Sequence, residues 1–330
     1  MLRFLANSLE QMDLALDQLA VNDVNYKRFA LMLVDNVVEL TLHQYAIEQS
    51  NWNRMFQMLP PKYPPKLVAD ALGQYFDAKV KLAAESGYIA AHLKDTFNIL
   101  HSFRNEVYHR GMTHEEILPA VSLFYFQNAC QLLETFAPGV FSYSERQRIP
   151  HRAQKYLGVR PSHTSLNDFK AACRRLKEIS ETHQCDLVGD LTQKVELMIA
   201  EADHNIQFLT DDAPNSDKTR EGTLIDAQLW RFAFTEDARD FAKQKNCSAK
   251  NDFEYLQWLR DNYSWKYQKD PILGWKKRLA DLGNEKDSHR ALLLYKNFAD
   301  QTEDIRDLLS EAASGLDDYI QTEIDSARNK

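Results

Sequence analysis

Residues 101–111 run His101-Ser102-Phe103-Arg104-Asn105-Glu106-Val107-Tyr108-His109-Arg110-Gly111, and the spacing is that of the closing turns of a helix. His101, Asn105 and His109 recur every four residues, so they share one helical row, successive members about 40° apart. Arg104 lies off that row. Five residues turn a helix through about 500°, which leaves Arg104 roughly 140° round from His109. One ligand then touches both only through the long arginine side chain or with help from a second helix, the geometry of a composite site. Gly111 supplies the C-terminal cap. In the last turn, the partial negative charge of the helix end favours an exposed imidazolium at His109 by about 0.3–1 kcal/mol. A side chain that changes charge near neutrality suits acid–base work.

Directly downstream, Thr113-His114-Glu115-Glu116 has capping-box spacing before the apolar run Ile117 to Phe136, so one helix ends and another begins at once. Upstream, the motif helix is expected to start near Asp95 or Thr96, after a break at Ser86-Gly87. A long helix is expected before that break, from about Leu67 to Ala84, and the prolines of Leu59-Pro-Pro-Lys-Tyr-Pro-Pro-Lys66 separate it from its predecessor, because proline removes a donor and pushes the preceding residue out of the helical region. The segment Val24 to Gln49 is amphipathic, with Phe29, Leu33, Val37 and Leu40 on a broad apolar face and Asp35, Glu39 and His43 on a polar row,. That row is either a solvated face or a set of supporting groups, Asp35, Asn36 and Glu39, that orient the Arg-Asn-His helix.

The 330 residues are 44% hydrophobic and 27% charged, ordinary values for a globular protein of about two domains. Glycine and proline number ten each, and no Val/Ile/Thr-rich alternating run is present, so the fold class is all-α. A net charge of -8 argues against bulk electrostatic affinity for nucleic acid and leaves only local contacts. Cys130, Cys173, Cys185 and Cys247 are dispersed and predict reduced, mostly buried thiols, with neither a disulfide framework nor a metal site. No window has the length and apolarity of a signal peptide or a membrane span, so the expected location is cytoplasmic, with no membrane partner.

A composition shift marks a boundary. Arg146, Arg148, His151, Arg152, Lys155 and Arg160 form a basic connector, residues 146–160, between a helical domain at 1–145 and a C-terminal helical domain at 161–330. The connector is solvated first, a phosphate-guiding rim second. In the C-terminal domain, helices are expected from Ser165 to Ile179, from Leu187 to Phe208 and, after a polar loop at Thr210 to Gly222, from Leu224 onward, the last from Arg290 to Arg328. Lys266, Lys269, Lys276 and Lys277 interleave with Trp265, Tyr267 and Trp275, a mix that either stacks bases and neutralises phosphates or packs helices while the lysines lie in water.

Arg104, four intervening residues and His109, with Asn105 directly after the arginine, in the second half of an all-helical domain, resembles the HEPN superfamily of helical nucleases and nucleotide-binding proteins. The segment Asp35-Asn36-Val37-Val38-Glu39-Leu40 is similar to the first core helix of such domains, so the resemblance covers residues 1 to about 145. It implies a HEPN-like helical bundle followed by a second helical domain. It further implies a metal-independent endoribonuclease without a cofactor, acting on an RNA substrate as a homodimer whose two motif helices face one another, with Arg104, His109 and Asn105 as catalytic residues. A role in defence or toxin–antitoxin growth control, with an inhibitory or antitoxin protein as partner, follows from the resemblance alone. Some HEPN toxins carry a modifiable Tyr two residues after the His; here that position is Gly111, and that mode of neutralisation is not expected. The alternatives are a non-catalytic helical adaptor and a nucleotide sensor in which Arg104 holds a phosphate.

Overall fold

The computed structural model describes residues 1–55, 60–110, 115–142, 144, 147–213 and 219–328, apart from the Arg110 side chain. Every regular element among them is helical. In chain order the helices are α1 Leu2–Ala20, α2 Val24–Met55, α3 Pro65–Ala71, α4 Phe76–Glu85, α5 Ala91–Arg110, α6 Leu118–Thr135, α7 Gln154–Leu157, α8 Leu166–Ser180, α9 Leu187–Asp212, α10 Arg220–Phe232, α11 Glu236–Gln244, α12 Asp252–Asn262, α13 Ile272–Gly283 and α14 Ser288–Arg328. No helix among the described residues is long and apolar enough to cross a membrane.

The chain forms two compact units, one of residues 1–191 with 286–293, the other of residues 192–285 with 294–330. The first unit is organised around α2, which packs on α1, α3, α4, α5 and α6. On α1, Leu2, Leu5, Leu9, Met12, Leu16 and Leu19 are buried, a spacing of threes and fours that puts one stripe against its neighbours. In α6 nearly every apolar side chain is buried, from Leu118 through Tyr125 and Phe126 to Leu133, as expected for a helix covered on several sides.

The long helix expected from Leu67 to Ala84 is two helices, α3 and α4, broken at Leu72 to Tyr75. The break is stabilised by a lysine. Lys79, buried on α4, sends its ammonium to the carbonyls of Gly73 at 2.9 Å and Tyr75 at 3.3 Å and pairs with Glu39 of α2 at 3.3 Å, satisfying carbonyls that the broken helix leaves open. The break at Gly87 is as expected: its φ of 72° is left-handed, and Gly87 and Tyr88 donate to the carbonyls of Ala84 and Ala83, a glycine-terminated helix end. The motif helix α5 starts at Ala91, a turn earlier than expected. Gly111 and Thr113, the expected cap and capping-box residue, lie outside the described residues. A capping box does occur at α8, where Asp168 N–H donates to Ser165 Oγ at 3.3 Å and Ser165 N–H to Asp168 Oδ2 at 2.8 Å.

The basic stretch 146–160 belongs to the first unit, and the division between units falls elsewhere. Ile149, Ala153 and Leu157 are buried at intervals of four, so the stretch packs rather than spans. Two of its cations are taken by α1: Arg152 Nη1 lies 2.8 Å from Asp13 and 2.5 Å from Asp17, and Lys155 Nζ 2.7 Å from Asp13, while Arg148 and Arg160 are exposed. Glu10 accepts from the N–H groups of Arg152 and Ala153 at 2.8 and 3.1 Å. The polar loop expected at 210–222 is shorter, because α9 continues to Asp212 and α10 begins at Arg220. Cys130 and Cys173 are buried, whereas Cys185 is exposed and Cys247 half-buried.

Candidate functional site

Two helices deliver side chains to one carboxylate on a third. Asp35, on α2, is 0% exposed. Its Oδ1 accepts from the Tyr125 hydroxyl of α6 at 2.8 Å and faces Nδ1 of His101 on α5 at 2.9 Å. With Asp35 ionised, Nδ1 of His101 carries the proton. Arg104 of α5 places Nε 3.2 Å from Oδ2. That last contact is ionic without hydrogen-bond alignment, so Oδ2 and Nε are both buried with no hydrogen-bond partner. His101 and Arg104 are three apart, which puts both on the side of α5 that meets α2. The His101 ring also stacks on Phe76, centroids 4.0 Å apart and nearly parallel at 4°. Burial and the adjacent Asp35 charge push the Tyr125 phenol well above its ordinary pKa, keeping it a donor,.

From that anchor the arginine leads outward. Its side chain is 30% exposed, Nη1 donates to Asn105 Oδ1 at 2.9 Å, and the guanidinium carbon lies 5.5 Å from the Tyr108 ring centroid, within cation–π range. Nη2 has no hydrogen bond to a described residue. Tyr108 and His109 are exposed, their rings 5.0 Å apart and perpendicular, and His109 makes no hydrogen bond to a described residue. The N-terminal end of α2 lies beside this end of α5, since Arg28 Nη2 donates to the Val107 carbonyl at 3.2 Å. Flanking Arg28, Tyr26 and Phe29 are exposed, with rings 6.4 Å apart and edge-on.

Of the residues singled out from sequence, Asp35, Arg104 and Asn105 are joined in one network, and His109 stands at its exposed end. Asp35 is therefore no part of a solvated face. Asn36 and Glu39 make other direct contacts: Asn36 donates to Gln11 at 2.6 Å, and Glu39 pairs with Lys79 at 3.3 Å, its charge reaching the network only as a further push on the Tyr125 phenol. Tyr125 and Phe76 escape sequence reasoning. Tyr125 sits inside an apolar run, and the one available signal is that a buried phenol needs a partner.

A second buried aspartate has a similar retinue. Asp13 accepts from Tyr156 at 2.6 Å as well as from Arg152 and Lys155. Burial raises its pKa, but the hydrogen bonds from Lys155, Tyr156 and Arg152 outweigh that and hold it below the ordinary 3.8,. The C-terminal lysines Lys266, Lys269, Lys276 and Lys277 are all exposed, and of them Lys266 pairs with Asp304 at 2.9 Å and Lys276 with Asp203 at 3.2 Å. Trp265 and Trp275 are buried, Trp265 in a cluster with Leu229 and Leu259, so these two rings serve packing rather than base stacking. Compared with known proteins, the chain matches no family model, no curated protein and no solved structure.

Proposed function

We propose that this chain is a metal-independent endoribonuclease of the HEPN type, with a site built on Arg104 and His109 and completed by a second copy of the chain. The observation that carries the reading is the hold of buried Asp35 on Arg104 Nε, which fixes a guanidinium against Tyr108, the ring that also meets the exposed His109. In this reaction the ribose 2′-OH attacks the adjacent phosphorus, its proton passes to a base, and the 5′ oxygen leaves with a proton from an acid, giving a 2′,3′-cyclic phosphate. One His109 accepts the first proton in its neutral form. The other copy's His109, protonated, delivers the second, so a two-fold arrangement supplies both partners from one sequence position. Arg104 stabilises the charge that develops on the non-bridging oxygens. Asn105 spends Oδ1 on Arg104 and keeps its amide N–H groups for phosphate. Tyr26, Phe29 and Tyr108 offer rings for stacking unpaired bases or for contact between copies.

A second reading, a non-catalytic adaptor or nucleotide sensor, is favoured by one observation: Asp35 compensates Arg104 much as Asp13 compensates Arg152, which is how a purely structural clasp is built. Digestion of total cellular RNA by the purified chain in excess EDTA separates the two. Cyclic phosphate ends from wild type, and a loss of about 10²–10⁴ in rate for His109→Ala, support the nuclease. Intact RNA, or equal cleavage by both proteins, rejects it.

A further inference from the structure

The second unit contains a cavity of about 890 Å³ between α10, α12 and α14, within the range of small-molecule sites. Its walls are mainly apolar, including Leu209, Ala227, Leu256, Leu308 and Leu316. Three aromatic side chains that line it are heavily exposed, Trp230 at 61%, Phe253 at 73% and Tyr319 at 52%. Solvated rings of that size around one concavity are a cost unless something covers them. The charged groups of the wall decide the chemistry. Asp226 pairs with Arg260 at 3.4 Å, and Arg231 with Glu311 at 3.6 Å, and all four line the cavity. Each sign is answered within the wall, so an anion or a cation entering would meet its own charge as well as the opposite one and lose its hydration without a dedicated counter-ion.

We infer that this cavity binds an uncharged aromatic small molecule, its ring system stacked among Trp230, Phe253 and Tyr319. The site is independent of Arg104 and His109 and holds whether or not the chain cleaves RNA.

Titration of the full chain with the neutral fluorophore N-phenyl-1-naphthylamine tests this. Saturable binding at one probe per chain is expected, with its anionic sulfonate analogue and a quaternary ammonium analogue each bound at least tenfold more weakly. Two variants locate it. At Gly315, which lines the cavity, an added Cβ would meet nothing within 4 Å, so a side chain can start there without displacing a neighbour, and Gly315→Leu is expected to weaken binding at least tenfold. Trp230→Ala, at an exposed position, is expected to weaken it several-fold. Circular dichroism and thermal melting check that both variants fold. Absence of saturable binding, equal affinity for the charged analogues, or affinity unchanged in both folded variants overturns the proposal. Self-association that buries the cavity, seen as a dimer that Gly315→Leu dissociates and the probe cannot enter, also overturns it and gives the face to a second copy.

Discussion

Asp13 and Asp35 are near-duplicates in local chemistry and differ in what they hold. Each is buried, and each receives a tyrosine hydroxyl, an arginine and a second nitrogen base. Around Asp13 the partners are Arg152, Lys155 and Tyr156, all from one short stretch, so the carboxylate pins a segment of chain onto α1. Around Asp35 they come from two helices, and the arginine is held by Nε alone, its outer nitrogens directed to Asn105 and beyond. Arg152 is answered by two carboxylates, Asp13 and Asp17, whereas among the described residues Arg104 pairs with Asp35. The same buried carboxylate thus serves as a fastening or as a mount, and the difference lies in how many carboxylates answer its arginine.

The sharpest way to break that comparison is to truncate the two arginines. Arg104→Ala is expected to reduce RNA cleavage by about 10²–10³ and to cost about 3 kcal/mol of stability, because the fully buried Asp35 loses its compensating charge. Arg152→Ala leaves Lys155 and Tyr156 on Asp13 and is expected to cost about 1 kcal/mol, with cleavage unchanged. Chemical denaturation and the EDTA digestion measure both. Equal loss of activity in the two variants would erase the distinction between mount and fastening.

How much of this was legible beforehand depends on whether a feature is local. The all-α class follows from composition and spacing, and the 2-5-9-12-16-19 stripe on α1 is visible as a pattern. The motif helix follows from the spacing of residues 101–111, and angular bookkeeping there sets Arg104 apart from His109; that Asp35 holds the arginine is the supporting-group reading of the α2 row, which sequence leaves open beside the solvated one. What was not legible depends on contacts distant in sequence. Nothing near Gly73 announces that Lys79 will satisfy the carbonyls of a break, so α3 and α4 read as one helix. Nothing in 146–160 shows that Asp13 and Asp17 wait on α1, so a packed segment reads as a solvated connector. Asn36 and Glu39 follow Asp35 closely in sequence, yet α2 turns them toward Gln11 and Lys79.

The second expected effect is on acid stability. Asp13 has a folded pKa below its ordinary 3.8, so its contribution is fully present above that value and is lost as pH falls through the depressed one. Asp13→Asn is expected to cost about 2–4 kcal/mol at neutral pH, and its stability is expected to converge on that of wild type in the acid limb, below pH 3.8. Denaturation series between pH 7 and pH 2.5 measure this. A constant gap between the two curves down to the lowest pH would mean that the carboxylate's charge is not what holds the 152–156 segment.

A smaller effect separates the tyrosines. Tyr125→Phe and Tyr156→Phe each remove one hydroxyl from an ionised carboxylate, a loss of about 1.5–3 kcal/mol. Tyr125 is the fully buried member, so Asp35 cannot replace the lost donor with water, whereas half-buried Tyr156 leaves Asp13 a route to solvent. Tyr125→Phe is therefore expected at the upper end of that range and Tyr156→Phe at the lower. Melting of the two variants in parallel decides it, and the reverse order would show that water reaches Asp35.

The smallest expected effect isolates the His101 hydrogen bond from its ring. His101→Phe keeps a flat ring against Phe76 and deletes only the Nδ1 contact to Asp35, so stability is expected to fall by about 1 kcal/mol. Cleavage is the informative readout. If Arg104 alone carries the role of Asp35 to the surface, the rate stays within a few-fold of wild type. A loss as large as that of Arg104→Ala would instead make His101 part of what positions the guanidinium, and the Asp35 cluster would then act through two side chains rather than one.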